Sequence, residues 1–372
     1  MFVVLEHRFY GESNPAGDYS ASSLKLLSSE QALADAANFR AQFNAQLEAK
    51  GARPGPWIVV GCSYSAGLAA WFRSRHADAV IGAISPSGPV NASLDQANFL
   101  GWFESAAPPA CVANAKTGIA QIENLVKAGE WSTLSSAFNT CQPLSAEDEF
   151  WFLWNVALAV GTSDQFANPV PTNTLTQACD ILASEGDKMA AIAKIVATSE
   201  NVYAATEEGG SCVHLSQDYF VADLSRPDNP ARSWFWQKMT EFGWLKSSTG
   251  SSSIFFPSFD LSVDKILAVF QKIFAVPSLV PNTEWTNANY GGFNLVADNV
   301  IFTNGLYDPW HLVSISKDIP APSGVKAVTY EGGHCATLNA ASHSDPPSLI
   351  AARAAVEAEI DSWLSQYHRS QK

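Results

Sequence analysis

Three residues stand where a covalent hydrolytic mechanism would need them. Ser63 lies in Gly61-Cys62-Ser63-Tyr64-Ser65-Ala66-Gly67, directly after the apolar run Trp57 to Val60 and before a helical pattern. Gly-x-Ser on a sharp turn from strand to helix is the nucleophile-elbow arrangement, and small neighbours keep the turn open. Ser65 is a rival, with Gly67 at +2 but Ser63 at −2. Ser63 is preferred because it follows the strand-ending Gly61 by two positions. The elbow calls for an aspartate and a histidine, in that order, each after a later strand. Asp308 follows Val300 to Thr303, and His334 follows Lys326 to Tyr330. A serine hydroxyl is a poor nucleophile at neutral pH, so His334 would take its proton and Asp308 would orient the ring. The backbone N–H of Tyr64 would donate to the developing oxyanion. His7, between Glu6 and Arg8, is expected in a buried polar cluster rather than at the reacting atoms.

The elements that must carry these residues follow from periodicity. Phe2 to Leu5 reads as a buried strand. Ser28 with Gln31 reads as a capping box, and Leu33, Ala36, Phe39, Phe43 and Leu47 recur at helical spacing. Trp57 to Val60 and Val80 to Ile84 read as strands, with a helix from about Ala66 to His76 between them. This β-α-β-α-β order predicts a parallel sheet covered on both faces. From about residue 90 to 295 helical patterns dominate, near 119–128, 147–160, 176–198, 231–245 and 262–274, with a loop over Ser247 to Ser253. Strands resume at Val300 to Thr303 and Lys326 to Tyr330, and Pro346 to Tyr367 closes the chain as a helix. The simplest organisation is an α/β domain split over 1–90 and 295–372, with a helical insertion over 91–294.

Composition narrows the function. Of 372 residues, 47% are hydrophobic and 16% charged, enough for a large core. Lysine and arginine number 22 against 36 acidic residues, a net charge of −14, with no basic run. A nucleic-acid or anionic-membrane surface is therefore not expected. The longest apolar stretch, Trp151 to Val160, is too short to span a bilayer. Met1 to Ser13 show neither a basic n-region nor a long apolar h-region, which predicts no secretory signal in the chain as given. None of the six cysteines forms a CxxC metal knuckle, so no metal or cofactor is expected. The four between 111 and 212 could staple the insertion or remain buried thiols. Asn91-Ala92-Ser93 is a glycosylation acceptor triplet.

The chain resembles the S28 serine peptidase family, which includes prolyl carboxypeptidase, dipeptidyl peptidase 2, thymus-specific serine protease and fungal acid prolyl endopeptidases. The resemblance rests on Glu6-His7-Arg8-Phe9-Tyr10-Gly11-Glu12-Ser13, Gly61-Cys62-Ser63-Tyr64, and Leu68-Ala69-Ala70-Trp71. Further on it rests on Thr240-Glu241-Phe242-Gly243, Thr303-Asn304-Gly305 with Asp308-Pro309-Trp310, and Gly333-His334. It implies an α/β-hydrolase fold with a helical cap, and cleavage of peptides next to proline, commonly near a chain end. The family's nucleophile, aspartate and histidine fall on Ser63, Asp308 and His334. Trp310 would form one wall of a proline pocket.

The family's secretory, lysosomal or vacuolar compartments favour disulfides. The pairings expected on that ground are Cys111 with Cys179 and Cys141 with Cys212. Cys62 and Cys335 are expected to be free. Proline-containing peptides are the expected partners, and a homodimer is compatible with the sequence. Three features depart from the family pattern: Ser65 in place of a glycine, Met239 in place of a cysteine, and a start one strand before Glu6. The last predicts missing N-terminal strands and a missing second oxyanion donor. An esterase or lipase, and a truncated, catalytically impaired homologue, are the competing readings.

Overall fold

The computed structural model describes residues 1–167, 174–199, 212–248, 253–320 and 323–372. Of the loop expected over Ser247 to Ser253, residues 249–252 lie outside these. The described residues contain six strands: β1 Ile58–Val60, β2 Gly82–Pro86, β3 Ser93–Asp95, β4 Gly243–Leu245, β5 Val300–Gly305 and β6 Val325–Tyr330. They form two sheets and belong to two compact units.

The first unit comprises residues 1–92, 232–242 and 282–372. Its sheet has the order β1-β2-β5-β6, and every neighbouring pair is parallel. Parallel strands need long crossovers. The helix Tyr64–Arg75 supplies one between β1 and β2. Between β2 and β5 the crossover is the long route through the second unit, after which Ala83 lies opposite Val300 and Pro86 opposite Thr303. The helix Ser29–Ala49 starts at Ser28, whose hydroxyl accepts from the Gln31 N–H. The closing helix Pro347–Ser370 lays Trp363 against Ile84 and Ile301 on the sheet. Gly82 makes room for that indole: a Cβ there would lie 2.1 Å from Trp363 Cε3.

The second unit comprises residues 93–231 and 243–281. Residues 232–242 and 282–294, expected in the insertion, group with the first unit instead. The second unit is mainly helical, with β3 and β4 as a short parallel pair. Its helix Glu149–Gly161 is buried at every position from Phe150 onward. A helix that is apolar all round belongs inside a core. Trp151 stacks on Phe220 with ring centroids 4.1 Å apart. Cys111 is bonded to Cys179, and Cys141 to Cys212.

Three expectations change. Phe2 to Leu5 is not a strand: residues 1–7 carry no regular structure, and Phe2 and Val4 are fully exposed. The run pairs with no neighbour, and an extended segment without a ladder has nothing to hold it. The 176–198 pattern is two helices, Thr174–Ser184 and Lys188–Thr198, the second capped by Asp187. The 231–245 pattern is a short helix Arg232–Gln237, a π turn Lys238–Phe242, and β4. Gly243 ends the turn at φ 70°, where the backbone passes so near Ser93 that a Cβ would lie 2.3 Å from its carbonyl oxygen. No helix among the described residues is long and apolar enough to cross a membrane.

Candidate active site

The site lies in the first unit, at the ends where the parallel strands finish. β1 runs through Gly61 into the helix Tyr64–Arg75, and Ser63 sits at the turn with φ 61° and ψ −131°. A positive φ is uncommon for a residue with a Cβ, and such strain gathers at functional turns. Gly61 is required here: a Cβ would lie 2.0 Å from the Ser65 carbonyl oxygen. The Ser63 N–H donates to the Pro86 carbonyl at 3.2 Å, which ties the turn to the end of β2. Ser65 lies one position into the helix. Its hydroxyl donates to the Cys62 carbonyl at 2.7 Å and accepts from the Cys62 N–H at 2.9 Å, so it serves the turn itself. The Tyr64 N–H is the first amide of the helix, where no intrahelical acceptor exists.

Asp308 follows β5 and is fully buried. Its Oδ1 accepts from the Trp310 N–H at 3.1 Å, and its Oδ2 accepts from His334 Nδ1–H at 2.8 Å. That bond leaves Nε2 as the nitrogen able to accept a proton. His334 follows β6 in a tight loop and is 6% exposed. The loop is braced by Tyr330, whose hydroxyl donates to the Gly333 carbonyl at 3.1 Å and accepts from the Ala336 N–H at 3.0 Å. Burial pushes the Tyr330 phenol up, so it stays protonated. Gly305 lets the two loops approach, since a Cβ there would lie 2.4 Å from the Gly332 carbonyl oxygen.

Ser63 and His334 are brought close, because the neighbour of each is bonded to the neighbour of the other. Cys62 and Cys335, expected to be free, form a disulfide with Cα atoms 5.8 Å apart. The two sulfurs and a ring nitrogen of His334 lie within 4.8 Å of one another. Sulfurs joined in a disulfide offer no thiolates, so this cluster is not a metal site as it stands.

The Glu6 to Ser13 motif supports the helix that follows Ser63. His7 Nδ1–H donates to the Arg8 carbonyl at 2.7 Å, which leaves Nε2 to accept from the Tyr64 hydroxyl at 3.2 Å. The same hydroxyl accepts from Gln237 Nε2 at 2.7 Å, and Gln237 Oε1 accepts from the Tyr10 hydroxyl at 2.7 Å. Burial lowers the His7 pKa, in keeping with a neutral ring. Arg8 forms a two-pronged pair with Asp35, at 2.6 and 2.7 Å. Gln237 was missed by sequence reasoning, because it sits more than 170 residues from Tyr64. Its nearest signal was its place just before Thr240-Glu241-Phe242-Gly243.

Trp310 is buried at 6% exposure. Asn91 is half-buried, and its N–H donates to the Val313 carbonyl at 3.0 Å. A separate cavity of about 440 Å³, lined by Arg40, Asn44, Trp57 and Trp363 among others, contains none of Ser63, Asp308 and His334.

Residues 1–356 match the family described as serine carboxypeptidase S28. The mouse (Mus musculus) thymus-specific serine protease is 28% identical over 100% of this chain and 76% of its own length. The human lysosomal Pro-X carboxypeptidase is 27% identical over 100% of this chain and 76% of its own. A putative serine protease of Caenorhabditis elegans is 28% identical over 97% of this chain and 74% of its own. With its parallel sheet, this chain is an α/β hydrolase and a serine peptidase, and it belongs to the S28 serine carboxypeptidase family.

Proposed function

We propose that the protein is an exopeptidase that cleaves peptides next to proline through an acyl-enzyme on Ser63. The observation that carries this reading is the Asp308–His334 bond of 2.8 Å beside an elbow that strains Ser63 to φ 61°. Ser63 Oγ attacks the scissile carbonyl while His334 Nε2 takes its proton. Asp308 holds the ring and stabilises the imidazolium. The Tyr64 N–H donates to the oxyanion. His334 then protonates the leaving amine, and water repeats the sequence to release the acyl group.

Proline is compact and lacks an N–H, so an aromatic wall can recognise it without main-chain pairing. Trp310, two positions after Asp308, would supply one wall. The Tyr64 ring also packs against Trp234 and Phe242, with centroids 5.6 and 5.2 Å away. The name of the lysosomal Pro-X carboxypeptidase supports this choice of substrate. Three disulfides favour a secreted or lysosome-like compartment.

The test combines labelling with a substrate panel. An alkyl fluorophosphonate should label Ser63, and Ser63→Ala should abolish both labelling and turnover. Peptides with a penultimate or second-position proline should be cleaved faster than short acyl esters. Labelling that maps to Ser65, or turnover of esters alone, would overturn the reading.

A further inference from the structure

We propose that the Cys62–Cys335 disulfide is a positioning clamp that sets the nucleophile against its base, and that its reduction switches the peptidase off without unfolding it. This rests on the assignment of Ser63 and His334 above. Each cysteine is the chain neighbour of one of those residues, so the bridge is a short covalent path between elbow and histidine loop.

The surrounding contacts explain why a clamp is needed. The elbow and the histidine loop lean on the same stretch at the end of β2. The Ser63 N–H donates to the Pro86 carbonyl, and the Cys335 N–H donates to Ser87 Oγ at 2.9 Å. The Ser87 N–H in turn donates to the Thr303 carbonyl at 2.8 Å, on the strand that leads to Asp308. Ser63, Ser87 and Cys335 all have positive φ, at 61°, 50° and 53°. Strained residues persist only where their surroundings over-determine them. The Asp308 bond fixes the rotation of the His334 ring but touches no residue of the elbow. The disulfide is a direct tie between the two loops. Reduction would leave the hydrogen bonds that hold each loop to β2, so the fold should persist while the Ser63-to-His334 spacing loosens. A misplacement of about 1 Å at reacting groups can lower a rate on the order of 100-fold.

The redox step balances simply. A dithiol such as dithiothreitol gives two electrons and two protons to the bridge. Cys62 and Cys335 become thiols, and the dithiol closes to its cyclic disulfide. Cys335 is 7% exposed and Cys62 is half-buried, so Cys62 is the more exposed residue of the bridge.

The experiment compares the native protein, Cys62→Ser/Cys335→Ser, and Cys111→Ser/Cys179→Ser. Each is assayed on a prolyl peptide and labelled with fluorophosphonate before and after dithiothreitol. Cysteines freed by the reductant are alkylated and mapped, and circular dichroism follows the fold. The clamp variant should lose about 10- to 100-fold in kcat and in labelling rate, with KM within about twofold. Dithiothreitol should inhibit the native protein to a similar extent as Cys62 and Cys335 become alkylated, and re-oxidation should restore it. It should not slow the clamp variant further.

Two results would overturn the clamp: Cys62 and Cys335 alkylated in the untreated protein, or native protein that keeps full kcat once both are reduced. Should the clamp variant fail to fold, reduction of native protein decides alone. A native protein that neither labels at Ser63 nor cleaves peptides would instead sink the functional reading.

Discussion

The two units bury different chemistry. In the sheet unit, Ser63 and Ser87, both at positive φ, and the hydrogen-bonded pair Asp308 and His334 lie just past the ends of β1, β2, β5 and β6. In the helical unit, the central helix Glu149–Gly161 carries buried apolar residues on every side, and two disulfides close loops of 68 and 71 residues. The bridge in the sheet unit closes 273 residues, yet it joins two loops that touch the same strand end. On the proposed mechanism one unit aims groups at a reaction, while the other is built as a helical scaffold. Substitutions should therefore separate rate from stability according to the unit they strike.

A crossed pair tests this at its largest. Asp308→Asn keeps the shape of a fully buried side chain but takes the carboxylate from His334 Nδ1. It should lower kcat on the order of 10⁴-fold, as the wrong imidazole tautomer does in a serine triad. Its unfolding midpoint in urea should shift far less than that of Trp151→Ala. Trp151 is fully buried and stacked on Phe220. Removing its ring should lower stability by about 3–5 kcal/mol and leave kcat near the native value for the folded fraction. If Trp151→Ala lowered kcat as much as Asp308→Asn in fully folded protein, the division of labour would fail.

The same contrast decides what was legible in the sequence. The order Ser63, Asp308, His334 could be read because each follows an apolar run, and a parallel sheet brings such strand ends to one edge. Phe2 to Leu5 was misread, because an apolar run gives no sign of whether a partner strand lies beside it. The pairing of Cys62 with Cys335 was also beyond sequence reasoning. Six cysteines allow fifteen connectivities, and only the convergence of the two loops on neighbouring Pro86 and Ser87 at the end of β2 brings these two together. Residues 232–242 were hidden for a related reason. Their local pattern is helical and aromatic, like the insertion around them, while Gln237 reaches back to Tyr64 through a long-range hydrogen bond.

Lys238 sharpens the comparison from the side of stability. It sits in the π turn of the sheet unit, 5% exposed, with no ion-pair partner among the described residues. Burial pulls its pKa from 10.5 down to about 8. The folded state thus disfavours the charged amine. The penalty is present in full below pH 8, fades between pH 8 and 10.5, and is absent above. Lys238→Met should stabilise the protein by up to about 3 kcal/mol at pH 7, from 1.36 kcal/mol per unit, and by little at pH 10.5. Chemical unfolding of both forms across that range checks it. An equal gain at both ends would mean the change acts through packing rather than charge.

The smallest effect is expected at Tyr64. Its hydroxyl donates to His7 and accepts from Gln237, while its ring packs on Trp234 and Phe242. Tyr64→Phe keeps the ring but leaves His7 Nε2 and a Gln237 N–H without that partner. Unsatisfied buried groups of this kind lower stability by about 1–3 kcal/mol. The rate should suffer less than from outright loss of an oxyanion donor, which costs about 10²–10³ in kcat. The backbone N–H of residue 64 remains, and only the hydrogen bonds that hold its side chain are gone. A fall in kcat of about tenfold or less, with KM unchanged on a prolyl peptide, is the expected result. A rise in KM at constant kcat would place the hydroxyl against substrate, and would move Tyr64 from supporting the elbow to lining the pocket.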